Sequence, residues 1–143
     1  MQFDIENKII RLCAEGMEME GKGDPEKAKS LFLHAWDESS TDFEKFTSAH
    51  YVARHQSCVK DKLKWDETAL SYALKLADES VKEVLPSLYL NIGKCFEDMN
   101  DPENALKHYR AAESYTSYLP DDGYGNMIKM GVQNGIQRVS RTE

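Results

Sequence analysis

Two segments of the chain begin alike, 77 residues apart. One reads GDPEKAKSLFLHAWDES from Gly23, and the other reads NDPENALKHYRAAESYT from Asn100. In each, a turn residue is followed by Asp-Pro-Glu. Aspartate suits the N-cap of a helix, proline suits its first position, and glutamate suits the positive end of its dipole. The duplication therefore predicts two helices that start in the same way within a repeated unit.

Small and aromatic residues recur at matched places in both copies. They are Ala28, Phe32 and Ala35 in the first copy and Ala105, Tyr109 and Ala112 in the second. This spacing of three to four residues marks one face of a helix. Small side chains let two helices approach closely. We therefore expect Ala105→Leu to overpack its repeat at a cost of roughly 1–3 kcal/mol; an unchanged denaturation midpoint would contradict this placement.

A further helical stripe precedes the second copy, in YLNIGKCFEDM, where Tyr89, Ile92, Gly93 and Phe96 share one face. Together with the alanines and tyrosine that follow, this stripe resembles the tetratricopeptide repeat, a pair of antiparallel helices of about 34 residues. The stretches AHYVARHQ and PSLYLNIGKCFEDMND also resemble small free-standing bacterial proteins of this repeat class. Some relatives of that group carry an RNA methyltransferase label, but these residues give that activity no support.

The resemblance implies an all-α fold of seven helices in a short right-handed superhelix. We expect one domain over residues 1–143, with repeats at 3–40, 42–82 and 83–119 and a capping helix at 121–140. The middle repeat is the most divergent, and we align its first helix by Val52 and Ala53 and its second by Ala69. This alignment puts surplus residues in the turn CVKDKLKWD, and we expect Trp65, within that turn, to form a lid over the second and third repeats.

In tetratricopeptide proteins the first helix of each repeat lines a concave groove. Transferred to this chain, the resemblance implies a groove lined by His50, Arg54, Asn91, Lys94, Leu90, Ser87, Glu97 and Met17. Cations and an amide beside apolar side chains suit a peptide or a helix of a partner protein. The sequence thus predicts a non-catalytic protein-binding module.

Two alternatives stay open. The methionines and aromatic residues near the C-terminus also suit self-association, through the groove or the last helix, into a homodimer with no separate ligand. Arg54 and Lys94 are equally compatible with ordinary surface ion pairs, which contribute less than about 1 kcal/mol.

The stretch SAHYVARHQ looks most like a chemical site. However, His50 and His55 are five residues apart, about 140° around a helix, and cannot both bind one metal ion. His50 and Arg54 would share one face, for binding, and Tyr51 and His55 another, for packing. Neither a HExxH motif nor a phosphate-binding glycine pattern occurs. We therefore expect no catalytic residue, no metal and no cofactor.

Charge and cysteine usage restrict the remaining classes. The formal net charge is −7 and the charges are interleaved, so no basic patch favours nucleic acid or a membrane surface. The three cysteines are far apart and form no CxxC pair, which is typical of a reducing compartment. The N-terminus also has no signal-peptide pattern, and the sequence predicts a cytoplasmic protein.

Overall fold

The computed structural model describes residues 6–141, and in this part of the chain every regular element is a helix. The seven α-helices are α1 (Lys8–Gly21), α2 (Pro25–Glu38), α3 (Asp42–Ala53), α4 (Val59–Ala73), α5 (Leu85–Asp98), α6 (Pro102–Glu113) and α7 (Gly123–Ser140). Short 3-10 helices cover Glu79–Glu83 and Thr116–Tyr118. The predictions of an all-α chain and of seven helices are confirmed for the described residues.

The helices divide into two compact units. The first unit ends at Leu76 and contains α1 to α4, in which α1 packs on α2, α2 on α3, and α3 on α4. The second unit begins at Ala77 and contains α5 to α7, in which α6 packs on both α5 and α7. The single-domain organisation stays a prediction.

The duplicated Asp-Pro-Glu segments form the same turn in both units. Gly23 (φ 80°) and Asn100 (φ 59°) adopt the left-handed conformation that commonly ends a helix. The next residue, Asp24 or Asp101, then caps a new helix by accepting a hydrogen bond from the backbone N–H three residues further on. The local signal thus produced the expected helix starts, at Pro25 and Pro102.

The core of the first unit forms where α1 crosses α2. Phe32 is fully buried, and a Cβ atom on Gly16 would overlap its ring, so only glycine permits this approach of the helices. The ring of Tyr51, from α3, stacks on Phe32 with their centroids 5.1 Å apart. Three consecutive helices are therefore joined through one aromatic side chain.

The second unit repeats this arrangement around Tyr109. Its ring is fully buried between two glycines, Gly93 of α5 and Gly135 of α7. A Cβ atom would lie 2.6 Å from the ring at Gly93 and 2.7 Å from it at Gly135, closer than real packing allows. Ala105 and Ala112 are also fully buried in this core.

The predicted position of Trp65 is wrong. Helix α4 begins at Val59, so Trp65 lies within a helix, and its ring packs edge-on against Trp36 with centroids 5.0 Å apart. The surplus residues of the middle repeat instead follow α4, where 74–84 include the 3-10 helix. Helix α4 has no start signal that can be read from residue types, because its N-cap residue, Cys58, makes no capping hydrogen bond with its side chain.

Candidate functional site

Two residues just beyond α3 meet on one carboxylate of α1. Nη1 of Arg54 lies 3.0 Å from Oε1 of Glu20, and Nε2 of His55 lies 2.8 Å from Oε2 of the same side chain. The guanidinium of Arg54 also lies over the ring of Tyr51, 4.7 Å from its centroid. Arg54 and His55 therefore share one carboxylate, and the common binding face predicted for His50 and Arg54 stays a prediction.

His50 lies in the last turn of α3 with most of its ring buried. Burial, followed by the nearby positive charges of Arg54 and Lys62, lowers the pKa of its imidazole to about 4. Its buried Nδ1 atom has no hydrogen-bond partner among the described residues. His50 is therefore neutral near pH 7 and offers no positive charge to a ligand. Met17, the groove residue predicted on α1, is 38% exposed.

Glu97 is the centre of a second carboxylate cluster, in the second unit. Arg138 of α7 donates from Nε and Nη2 to its two oxygens, at 2.8 and 3.1 Å, and the Tyr109 hydroxyl donates to Oε1 at 2.6 Å. The bonds from Arg138, and to a lesser degree from Tyr109, lower the pKa of Glu97 despite partial burial. Burial and the Glu97 carboxylate raise the pKa of Tyr109. Glu97, predicted to line the groove, is thus bonded within its own unit.

Three of the predicted residues form a line along α5, which we call the α5 polar stripe: Ser87, Asn91 and Lys94. Their spacing of four and three residues places them on one face of the helix. Ser87 and Asn91 are half-buried, and their side chains have no hydrogen-bond partner in the part of the chain that the structure describes. Lys94 is exposed, with its Nζ atom 2.9 Å from Oδ1 of Asp98.

Leu90 lies beside this stripe and packs against the second-unit core. A Cβ atom on Gly131 of α7 would be 3.1 Å from its Cδ2 atom, so α7 closes tightly over the leucine. Leu90 is therefore mainly a packing residue that holds α5 against α7. The α5 polar stripe thus places a hydroxyl, an amide and an ammonium group next to this fixed apolar contact, and the ammonium group is paired with Asp98.

The described residues contain no group of three or more histidine, cysteine, aspartate or glutamate side chains that could hold a metal ion. Burial raises the pKa of the Cys13 thiol to about 12, which suppresses its nucleophilic thiolate form. Cys95 is buried too, whereas Cys58 is exposed.

The sequence did not predict that several side chains would meet on Glu20 and on Glu97. One signal was present: Glu20 and Arg54 are 34 residues apart, one repeat length, as expected for equivalent ends of successive first helices. A second was that Glu20 and Glu97 are separated by the same 77 residues as the duplicated turns. The position of Arg138 had no such spacing to reveal it. The repeat length does not determine the length of the connection that precedes α7.

Comparison with known proteins adds no relative: no family model, curated protein or solved structure matches the chain significantly. None of the described helices is both long enough and apolar enough to cross a membrane. Further functional argument therefore starts from the residues of the chain itself.

Proposed function

We propose that the chain is a tetratricopeptide-like repeat protein that binds a peptide or a helix of a partner protein and performs no catalysis. Within each unit, the first helix of a repeat is the proposed binding element. Three features support the repeat assignment: the duplicated turn, the glycine-to-aromatic contact at matched positions of both units, and the 34-residue offset between Glu20 and Arg54. The proposed cellular compartment is the cytoplasm.

The α5 polar stripe is the observation on which the binding role rests. Most side-chain polar groups bond either the backbone or water, and a half-buried group that has no partner within the protein bonds water. Asn91 and Ser87 have none among the described residues, so their hydrogen-bonding capacity is open to a ligand. Lys94 can add a charge-assisted hydrogen bond to a carboxylate of the ligand, which then replaces the exposed Asp98 as its partner. A peptide with an acidic side chain and free backbone groups fits this set.

The surface of the first unit contributes differently. Arg54 is exposed but already bonded to Glu20, and His50 is neutral, so neither is a free cation. We propose that Arg54 uses its remaining guanidinium donors for a ligand while Glu20 keeps the side chain in place. Met17 offers an exposed, adaptable apolar contact on α1.

The test is an affinity capture from the source cells, quantified by mass spectrometry, that compares wild type with an Asn91→Ala, Lys94→Ala variant. The matched control is Lys107→Ala, which removes an exposed lysine from α6 instead. All three proteins are first shown to have the same circular dichroism and melting temperature. We expect a partner that wild type and the control retain and the double variant loses.

With that partner purified, calorimetry gives the size of the effect. An exposed ion pair contributes about 0.2–1 kcal/mol, and ligand binding also breaks the pair of Lys94 with Asp98, so Lys94→Ala alone should weaken binding by up to about fivefold. Equal binding by wild type and the Asn91→Ala, Lys94→Ala variant would remove the α5 polar stripe from the mechanism.

A further inference from the structure

Helix α7 occupies in the second unit the place that α3 occupies in the first. Arg138 of α7 pairs with Glu97, as Arg54 after α3 pairs with Glu20. Gly135 lies against the ring of Tyr109, and the residue 84 positions before it, Tyr51, stacks on Phe32. The same offset of 84 relates Arg138 to Arg54. Two independent contacts therefore give one alignment of the two helices.

The aligned helices differ sharply on the side that faces away from these contacts. In the first unit α3 is followed by α4, which packs on it, and Phe46 is 6% exposed. The residue 84 positions later is Met130, which is 65% exposed, and its neighbour on the same side, Met127, is 60% exposed. At Met130, helix α7 thus presents a large apolar side chain where the corresponding residue of α3 is covered, and Met127 corresponds to the half-buried Phe43.

Charge indicates what covers this side. Among the helices of the described residues, α1 to α6 each contain at least two carboxylates, whereas α7 has none in its 18 residues. Three amides of the helix, Asn126, Asn134 and Gln137, are exposed, and the charged residue nearest to the methionines is the half-buried Lys129. Amides both donate and accept hydrogen bonds, so such a face complements itself.

We propose that α7 pairs with α7 of a second copy of this chain about a two-fold axis, with Met127 and Met130 at the centre. A chain of net charge −7 repels its copies over most of its surface, and a face without carboxylates is where two copies approach at the lowest electrostatic cost. Two helices of 18 residues, about 27 Å long, form a small interface, so the dimer is weak and reversible. This proposal uses no residue of the α5 polar stripe and is tested on purified protein alone.

Sedimentation equilibrium over a wide range of concentration tests it. We expect wild type to form a dimer, and Met127→Glu, Met130→Glu to raise the dissociation constant at least tenfold because it places four buried carboxylates at the axis. The matched control is Leu74→Glu, which charges an equally exposed apolar residue in the first unit and should dimerise like wild type. Circular dichroism and melting at low concentration show that each variant folds.

Cross-linking gives a second readout that does not depend on destabilising the contact. In a Cys58→Ser background, Met130→Cys should form a covalent dimer under mild oxidation, and Leu74→Cys should not. The proposal is overturned if wild type stays monomeric at every concentration. It is also overturned if the glutamate variant dimerises as tightly as wild type, or if the two cysteine variants cross-link equally.

Discussion

The two units carry the same carboxylate cluster with different neighbours. In the first, Glu20 binds Arg54 and the imidazole of His55; in the second, Glu97 binds Arg138 through two bonds and the hydroxyl of Tyr109. Both clusters join a first helix to the helix that occupies the next equivalent place. The carboxylate therefore recurs at the matched position of both units, whereas the groups that bond to it depend on how each core is packed.

The difference has a physical origin. Tyr109 reaches Glu97 because its ring lies between two glycines, which bring α5 and α7 close on either side. Phe32, at the matched place in the first unit, has no hydroxyl. The ring of Tyr51 stacks on it at the position that Gly135 occupies against Tyr109 in the second unit. The first unit therefore obtains its second donor from His55, beyond the end of α3.

The largest expected effect comes from removing the central aromatic ring of either unit. Phe32→Ala and Tyr109→Ala should each reduce the free energy of unfolding by about 3–5 kcal/mol, because each leaves a cavity where three helices meet. Both tryptophans, Trp36 and Trp65, lie in the first unit, so denaturation followed by their fluorescence reports that unit while circular dichroism reports both. The control is Tyr124→Ala, at an exposed site, which should change the free energy of unfolding by less than about 0.5 kcal/mol.

Acid should distinguish the units next, since the α7 counterpart of His50 is Asn134, which does not titrate. The folded pKa of His50, about 4, is below its unfolded value of 6.5, so the unfolded chain binds more protons between these values. The contribution of neutral His50 to the free energy of unfolding is therefore fully present above about pH 6.5. It falls as the pH drops towards 4, by up to about 3 kcal/mol. Tryptophan fluorescence should record this loss in the first unit.

His50→Asn makes the first unit resemble the second at this position and supplies the control. Relative to wild type, the variant should lose less stability between pH 6.5 and 4. Below that window the lowered pKa values of Glu44 and Glu97, one in each unit, add a loss on acidification that both proteins share. Identical pH profiles for wild type and His50→Asn would show that the imidazole titrates freely in the folded protein.

Replacing a contact glycine should destabilise the protein less than removing a ring. Gly16→Ala or Gly93→Ala should lower the free energy of unfolding by roughly 1–3 kcal/mol, because the new methyl group displaces the ring of Phe32 or Tyr109. Gly21→Ala is the control, since a Cβ atom there meets no other atom within 4 Å. Chemical denaturation measures all three. If Gly93→Ala proved as stable as Gly21→Ala, the close approach of α5 and α6 would be wrong.

Much of this fold was predictable because its signals are local. The caps at Asp24 and Asp101 and the small residues at Gly93 and Ala105 act on neighbours in sequence or one helix away. Helix α4 was misplaced because its start has no capping side chain, so tertiary packing of Trp65 sets its position instead.

The candidate site was predicted only in part, for a related reason. Ser87, Asn91 and Lys94 share a face by helical spacing alone, which sequence shows. Whether a charged side chain is free or already paired depends on a partner far along the chain, as for Glu97 with Arg138, 41 residues away. Patterns within one helix do not contain that information.

Double-mutant cycles on Glu20 with Arg54 and on Glu97 with Arg138 test whether α3 and α7 occupy equivalent places in the two units. Glutamine replaces each residue singly and together, and the exposed Glu18–Lys22 pair serves as the reference. Both cycles should give a favourable coupling of a few tenths to about 1 kcal/mol, with the larger value for the two-bond pair of Glu97 and Arg138. Coupling in only one unit, or in neither, would contradict the equivalence of the two helices.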